Sequence, residues 1–223
     1  MTHFYILTLF PESIRPYLAE SILARAVESG AISVELINPR DFTEDKHHKA
    51  DDHAYGGGPG MVLKAEPILK AAEYVQKKVG PHALSIFIMA TGGARFDNTV
   101  AQKLAKRDAH IVLIAGRYEG IDDRVKKILK AKELSMGPYV LSGGELPALV
   151  ILEAVARQIP GVLGKEDSIE ENRHGAGVPA YTRPEFLEWK GKAYKVPPVL
   201  TGGDHKKIEE WRAKNRRKDG RAL

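Results

Sequence analysis

The sequence contains no cysteine. Disulfides, thiolate metal sites and thiol nucleophiles are therefore excluded, and with them most small extracellular scaffolds and every cysteine-based covalent mechanism. Long apolar runs are missing as well. The stretch from His3 to Phe10 is short and has no basic leader, so neither a signal peptide nor a membrane span is expected, and the protein is expected in the cytoplasm. No G-x-x-x-x-G-K-[ST] segment occurs, and Gly56-Gly-Gly-Pro-Gly60 follows a polar stretch in place of a strand, so neither a P-loop nor a dinucleotide fingerprint is supported. His47, Asp51 and His53 lie close together, but without the spacing of a zinc motif. A metal-dependent hydrolase is accordingly a weak reading of that segment. Internal repeats and low-complexity tracts are absent.

What is present is an ordinary globular composition, 43% apolar and 28% charged, over 223 residues, enough for one large domain and a small appendage. The net charge of +5 is concentrated at one end. Residues 206–221 hold eight basic side chains against three acidic ones, and the rest of the chain balances to zero. Such an end suits contact with a phosphate backbone, where each Lys or Arg releases condensed counterions; a solvated tail is the alternative.

Apolar runs, glycine turns and amphipathic helices alternate. His3 to Phe10 reads as a buried strand, followed by a helix from about Pro16 to Glu28 that Gly30 ends, and Ala31 to Ile37 reads as the next strand. Leu84 to Ala90 precedes Thr91-Gly-Gly-Ala94, and His110 to Ala115 precedes Gly116-Arg-Tyr-Glu-Gly120. The segment Ser135-Met-Gly-Pro-Tyr-Val-Leu-Ser-Gly-Gly-Glu-Leu-Pro147 opens the most apolar helix pattern, Leu146 to Ile159. This order predicts an α/β fold, a parallel sheet flanked by helices, with all three glycine turns on the edge where ligands sit. A glycine turn taken alone is more often a simple connection; three that converge make a pocket.

The loop from Asn38 to Gly60 is long for a compact domain and reads as a polar lid. After Gly164 the composition turns polar and loses periodicity, predicting a first domain over residues 1–164, a flexible interdomain linker over 165–179 and a small, mainly helical C-terminal domain over 180–223. Asp204 is placed to cap the last helix.

Asp51-Asp52, Tyr55 to Met61, Gly116 to Asp122, Gly137 to Pro147, Ile159 to Gly164, Tyr181 to Glu185 and Val196 to Leu200, in that order, closely resemble the bacterial tRNA (guanine-N1)-methyltransferase family, TrmD. The resemblance implies the SPOUT methyltransferase fold with a deep trefoil knot, a homodimer with active sites at its interface, S-adenosylmethionine as methyl donor, magnesium for activity, and the anticodon stem-loop of tRNA as substrate partner. It further implies donor binding by Met89, Ala90, Thr91, Gly92, Gly116, Ile121, Ser135, Met136, Gly137, Pro138, Tyr139, Val140, Leu141, Gly143, Gly144 and Pro147. Substrate contacts would fall on Asp52, Tyr55, Gly58, Pro59, Gly60 and Arg183, with Lys214, Arg216 and Arg217 of the basic end gripping phosphates.

Guanine N1 carries a proton and is a poor nucleophile while it does, so such an enzyme needs a base and a cation to hold charge gathering on O6. Arg157 matches the family's arginine for the second role; on an otherwise apolar helix face it could also pair with the linker carboxylates. Glu119 matches the acidic residue linked with magnesium. The family's linker aspartate aligns with Asn172, and an amide accepts no proton at neutral pH. Glu171 or Glu170 could serve from a shifted backbone, or the proton could leave by another route; Glu171 is the substitute expected here. The departure leaves an alternative open, a tRNA-binding protein that keeps the donor pocket with little catalysis. The resemblance also makes residues 1–164 the S-adenosylmethionine-binding catalytic domain and residues 180–223 the C-terminal tRNA-binding domain, which is shorter than is usual in the family, a second departure.

Overall fold

In the computed structural model the described residues are 1–107, 109–163 and 177–216. The chain separates into two compact units, Met1–Gly164 and Lys165–Leu223. The expected linker carboxylates and Asn172 lie outside the described residues, as does Arg217.

The first unit carries strands β1 (Thr2–Leu7), β2 (Ile32–Ile37), β3 (Asp51–His53), β4 (Met61–Leu63), β5 (Ser85–Arg95), β6 (His110–Ile114) and β7 (Lys132–Ser135). Its helices are α1 (Arg15–Leu18), α2 (Ser21–Glu28), α3 (Ala65–Val79), α4 (Asn98–Arg107), α5 (Asp123–Leu129) and α6 (Glu145–Ala156). Five strands form one parallel sheet in the order β2-β1-β6-β5-β7, and β3 and β4 form a separate antiparallel pair. Both faces of the sheet are covered, which is why its central strands read as continuous apolar runs. Phe4, Ile6, Phe87, Met89, Ile111 and Leu113 pack to one side with α2, α4 and α6. Tyr5, Leu7, Ile88, Val112 and Ile114 pack to the other with α3 and α5. Each fully buried aliphatic side chain stabilises the fold by roughly 1.5–3 kcal/mol.

Local details depart from the sequence reading. The expected helix from Pro16 to Glu28 is broken: Glu20 is extended and Ser21 takes φ 57°, so α1 and α2 are separate pieces. Thr91-Gly-Gly-Ala94 is not a turn. Strand β5 runs on through it to Arg95 with a register shift between Met89 and Ala94. Gly93 permits this, since a Cβ there would lie 2.6 Å from the carbonyl carbon of Glu133 on the neighbouring strand. The strand ahead of the third glycine turn is β7, ending at Ser135, while 136–144 is loop.

The second unit holds an antiparallel hairpin, β8 (Phe186–Trp189) and β9 (Lys192–Lys195), then α7 (Pro198–Thr201) and α8 (His205–Asn215). Asp204 caps α8 by accepting from the amide of Lys207 at 3.2 Å. Tyr181 and Trp211 meet edge to face at 6.1 Å. Among the described residues no helix is long and apolar enough to cross a membrane.

Candidate functional site

Strand β5 leads to α4 on one face of the sheet, while its neighbour β6 leads to α5 on the other. Where connections part in this way, a crevice opens beyond the carboxyl ends of the two strands. A cavity of about 410 Å³ lies there, lined by residues 88–91, 116–123, 133–137 and 139–144 with Lys126 and Pro147. Its size falls in the ordinary range for small-molecule sites.

Fourteen of the sixteen expected donor-binding residues line this cavity: Met89, Ala90, Thr91, Gly116, Ile121, Ser135, Met136, Gly137, Tyr139, Val140, Leu141, Gly143, Gly144 and Pro147. Gly92 and Pro138 are exposed and stand outside the lining. The three glycine-bearing segments do converge, although the first is a bent strand. They are also bonded to one another. The amide of Gly144 donates to Gly116 O at 2.8 Å, and Arg117 forms an isolated antiparallel bridge with Gly143. A Cβ on Gly144 would come within 2.7 Å of Ala115 Cα, so only glycine allows α6 to start this close to the end of β6.

Glu145, in the first turn of α6, is buried, and its carboxylate is held from two sides. The Thr8 hydroxyl donates to Oε1 at 2.8 Å, and Nε of Arg117 lies 2.9 Å from Oε2. The Arg117 guanidinium also rests over the Phe10 ring at 4.6 Å. Sequence reading passed over this group, because positions 8, 117 and 145 are brought together only by the sheet.

Glu119 lines the cavity and packs its side chain over Gly60. Three other wall carboxylates are committed to bases: Asp122 to Arg124, Asp123 to Lys127 and Glu133 to Lys126. Hydrogen bonds from Arg124 pull the Asp122 carboxyl down to about 2. Among the described residues no group of three His, Asp or Glu side chains is arranged to hold a metal ion, the His47–His53 segment included.

The expected substrate loop is mounted on the same wall. Glu119 N donates to Met61 O, Leu63 N to Gly120 O and Asp122 N to Leu63 O, each at 3.0–3.1 Å. These bonds fasten β4, and hence Gly58, Pro59 and Gly60 before it, to the second glycine turn. Tyr55 at the loop tip is fully exposed. Asp52 has its carboxyl lowered by the amide of His53 and by Lys64, 3.7 Å away. Arg157 follows α6 and is absent from the cavity lining; the twelve residues of that helix span about 18 Å from Gly144. In the second unit, Arg183 lines a cleft with Tyr181 and Trp211, and Lys214 and Arg216 lie at the end of α8.

A family model described as tRNA (Guanine-1)-methyltransferase TrmD matches residues 2–222. The chain is also similar to curated proteins named tRNA (guanine-N(1)-)-methyltransferase. That of Carboxydothermus hydrogenoformans is 46% identical over 94% of this chain and 80% of the relative. The one from Dictyoglomus turgidum is 44% identical over 94% and 82%, and the one from Clostridioides difficile 42% identical over 94% and 90%. On this whole-length match, with the crevice formed by the same segments that carry the family's motifs, the chain belongs to the tRNA (guanine-1)-methyltransferase TrmD family.

Proposed function

We propose that the protein transfers a methyl group from S-adenosylmethionine to N1 of the guanosine 3′-adjacent to the anticodon in tRNA. The observation that carries this is the convergence of residues 88–91, 116–123 and 133–144 on one cavity in a chain of this family. The residues present suit the donor. Backbone polar groups at 116–121 and 136–141 offer hydrogen bonds to a planar base and a ribose, and Gly143 and Gly144, with no Cβ, let that wall close tightly on Arg117 and on the end of β6. When bound, S-adenosylmethionine supplies an electrophilic methyl group on a sulfonium centre.

This chain's own work is to hold both partners and manage one proton. Asp52, Tyr55 and Gly58 to Gly60 form the substrate side, held against the donor wall by the β4 hydrogen bonds. Glu171 takes the N1 proton, and Arg157 offsets the charge that gathers on O6. Glu119, the wall carboxylate with no basic partner among the described residues, is the one suited to magnesium, which is commonly held by one or two carboxylates together with substrate oxygens.

A homodimer completes the site. Arg157, at the C-terminal end of α6, is absent from the cavity lining of its own chain, and α6 leaves Leu146 and Val150 exposed one turn apart on a common face. Pairing of two copies through that face would cover it and bring each Arg157 toward the other's cavity. The knotted threading of the SPOUT fold, a cytoplasmic location and phosphate contacts from Lys214, Arg216 and Arg217 belong to the same reading. The non-catalytic alternative suggested by Asn172 gains no support from relatives that are named as methyltransferases.

The test is a methylation assay on two tRNA transcripts, with G or A at the target position. Incorporation into the first alone supports the reading, and incorporation into neither ends it. Single-turnover rates of Glu171→Gln and Asn172→Asp then address the base: an unchanged rate in Glu171→Gln removes Glu171 from the mechanism.

A further inference from the structure

The β8–β9 hairpin has every residue of both strands exposed. It closes through Lys190 and Gly191 at φ 51° and 72°, the tight primed turn that keeps two strands twisted together. Cross-strand register pairs Leu187 with Tyr194 and Trp189 with Lys192, and since side chains alternate, these four share one face. Leu187, Trp189 and Tyr194 are 53%, 64% and 53% exposed, and neither aromatic ring has a ring or cation partner among the described residues. The opposite face differs. There Lys195 Nζ lies 5.1 Å from the Phe186 ring centroid and already caps it.

Three large apolar groups left in water on a two-stranded ribbon mark a contact surface. Its charge says for what. Residues 177–216 contain nine Lys or Arg against five Asp or Glu, with Lys190 and Lys192 at the edge of the aromatic face. A second copy of this unit would present the same positive sign, so self-association through this face is opposed. Open aromatic faces flanked by lysines match single-stranded nucleic acid, whose bases stack while its phosphates pair with the cations.

We infer that the Leu187–Trp189–Tyr194 face is a stacking platform for unpaired bases of RNA, with Lys190 and Lys192 on the adjoining phosphates. This rests on the reading that the chain acts on tRNA, and it names a surface that the cavity argument leaves unused. Bases in loops are available for stacking; those within a duplex are not.

The experiment uses the full chain with an unmodified tRNA transcript, a blunt RNA duplex and heparin. Trp189→Ala with Tyr194→Ala weakens tRNA binding roughly tenfold, on the scale of one or two lost stacks, and raises KM for tRNA with KM for the methyl donor unchanged. Lys192→Ala lowers the salt slope of binding by about 1, whereas the aromatic pair leaves the slope intact. In Trp211→Phe, where Trp189 is the remaining tryptophan, tRNA quenches the emission and the duplex and heparin do not. Equal tRNA affinity in a variant that melts like the parent overturns the inference, as does quenching by all three polyanions. A change in oligomeric mass with the aromatic pair also overturns it, by assigning the face to a second copy. Failure of the parent to methylate tRNA would end the enzymatic reading instead, and the Trp189 quench can still be scored.

Discussion

Glu145 and Arg117 sit with Oε2 and Nε 2.9 Å apart, yet the N–H is not aligned on the oxygen, so the contact is an ion pair and not an in-line hydrogen bond. The carboxylate is nearly sealed, with 5% of its side chain exposed against 25% for the arginine. Removing the acid leaves Thr8 without its acceptor and Arg117 without its counter-charge. Glu145→Ala is expected to lose about 3 kcal/mol in urea denaturation, near the lower bound for breaking a buried pair because Arg117 reaches water. Thr8→Val, which keeps the shape but removes both the donor to Glu145 and the acceptor of the Phe10 amide, is expected to lose about 1–3 kcal/mol.

Gly144 and Gly92 should behave oppositely. A Cβ on Gly144 meets Ala115 Cα at 2.7 Å and Gly116 N at 2.9 Å, both backbone, whereas one on Gly92 meets nothing within 4 Å. Gly144→Ala forces two cavity walls apart, costing about 1–3 kcal/mol and more than tenfold in S-adenosylhomocysteine affinity by calorimetry. Gly92→Ala is expected to match the parent in both measurements.

Acid should loosen the end of the sheet remote from the cavity. His3 and His110 stack at 4.7 Å, His82 stacks on His110 at 5.6 Å, and Nδ1 of His110 is buried without a hydrogen-bond partner among the described residues. Burial lowers both His3 and His110 from the usual 6.5, helped by the terminal amine for His3 and by the neighbouring imidazoles for His110. Because the folded values are depressed, the contribution is complete above 6.5 and is lost as pH falls through the folded values. Denaturant midpoints should therefore decline below about pH 6.5, and His110→Phe, which keeps a ring and carries no proton, should flatten that decline.

Asp122 predicts a second, more acidic step. Its side chain caps α5 by accepting from the amide of Arg124 at 2.9 Å, and its carboxyl is lowered from 3.8 to about 2. The cap is at full strength above 3.8 and is lost as pH falls toward 2. Asp122→Ala is expected to lose about 1 kcal/mol at neutral pH and to lose less than the parent between pH 4 and 2, where Asp123, Asp52 and the other lowered carboxylates still titrate.

The parallel sheet was legible because buried strands such as Ile111–Ile114 read as unbroken apolar runs between helical patterns. Most of the cavity was legible too, since glycines recur at strand ends. Thr91–Gly93 misled because a glycine pair reads as a turn, while the strand continues there through the close passage of β7, which no local pattern encodes. The Thr8–Arg117–Glu145 group was invisible for the same reason. The β8–β9 hairpin did leave a trace, an alternation of Leu187 and Trp189 before Lys190-Gly191, but lysine is an uncommon first residue for that turn.

The attachment of β4 to the second glycine turn also bears on engineering. Residues 55–63 and 116–122 exchange three main-chain bonds, so they form a single graftable module and not two independent loops. A chimera that imports one segment from a relative and keeps the other risks stranding those amides and carbonyls, each worth about 1–3 kcal/mol when sealed without a mate. Transplanting both together preserves the seam.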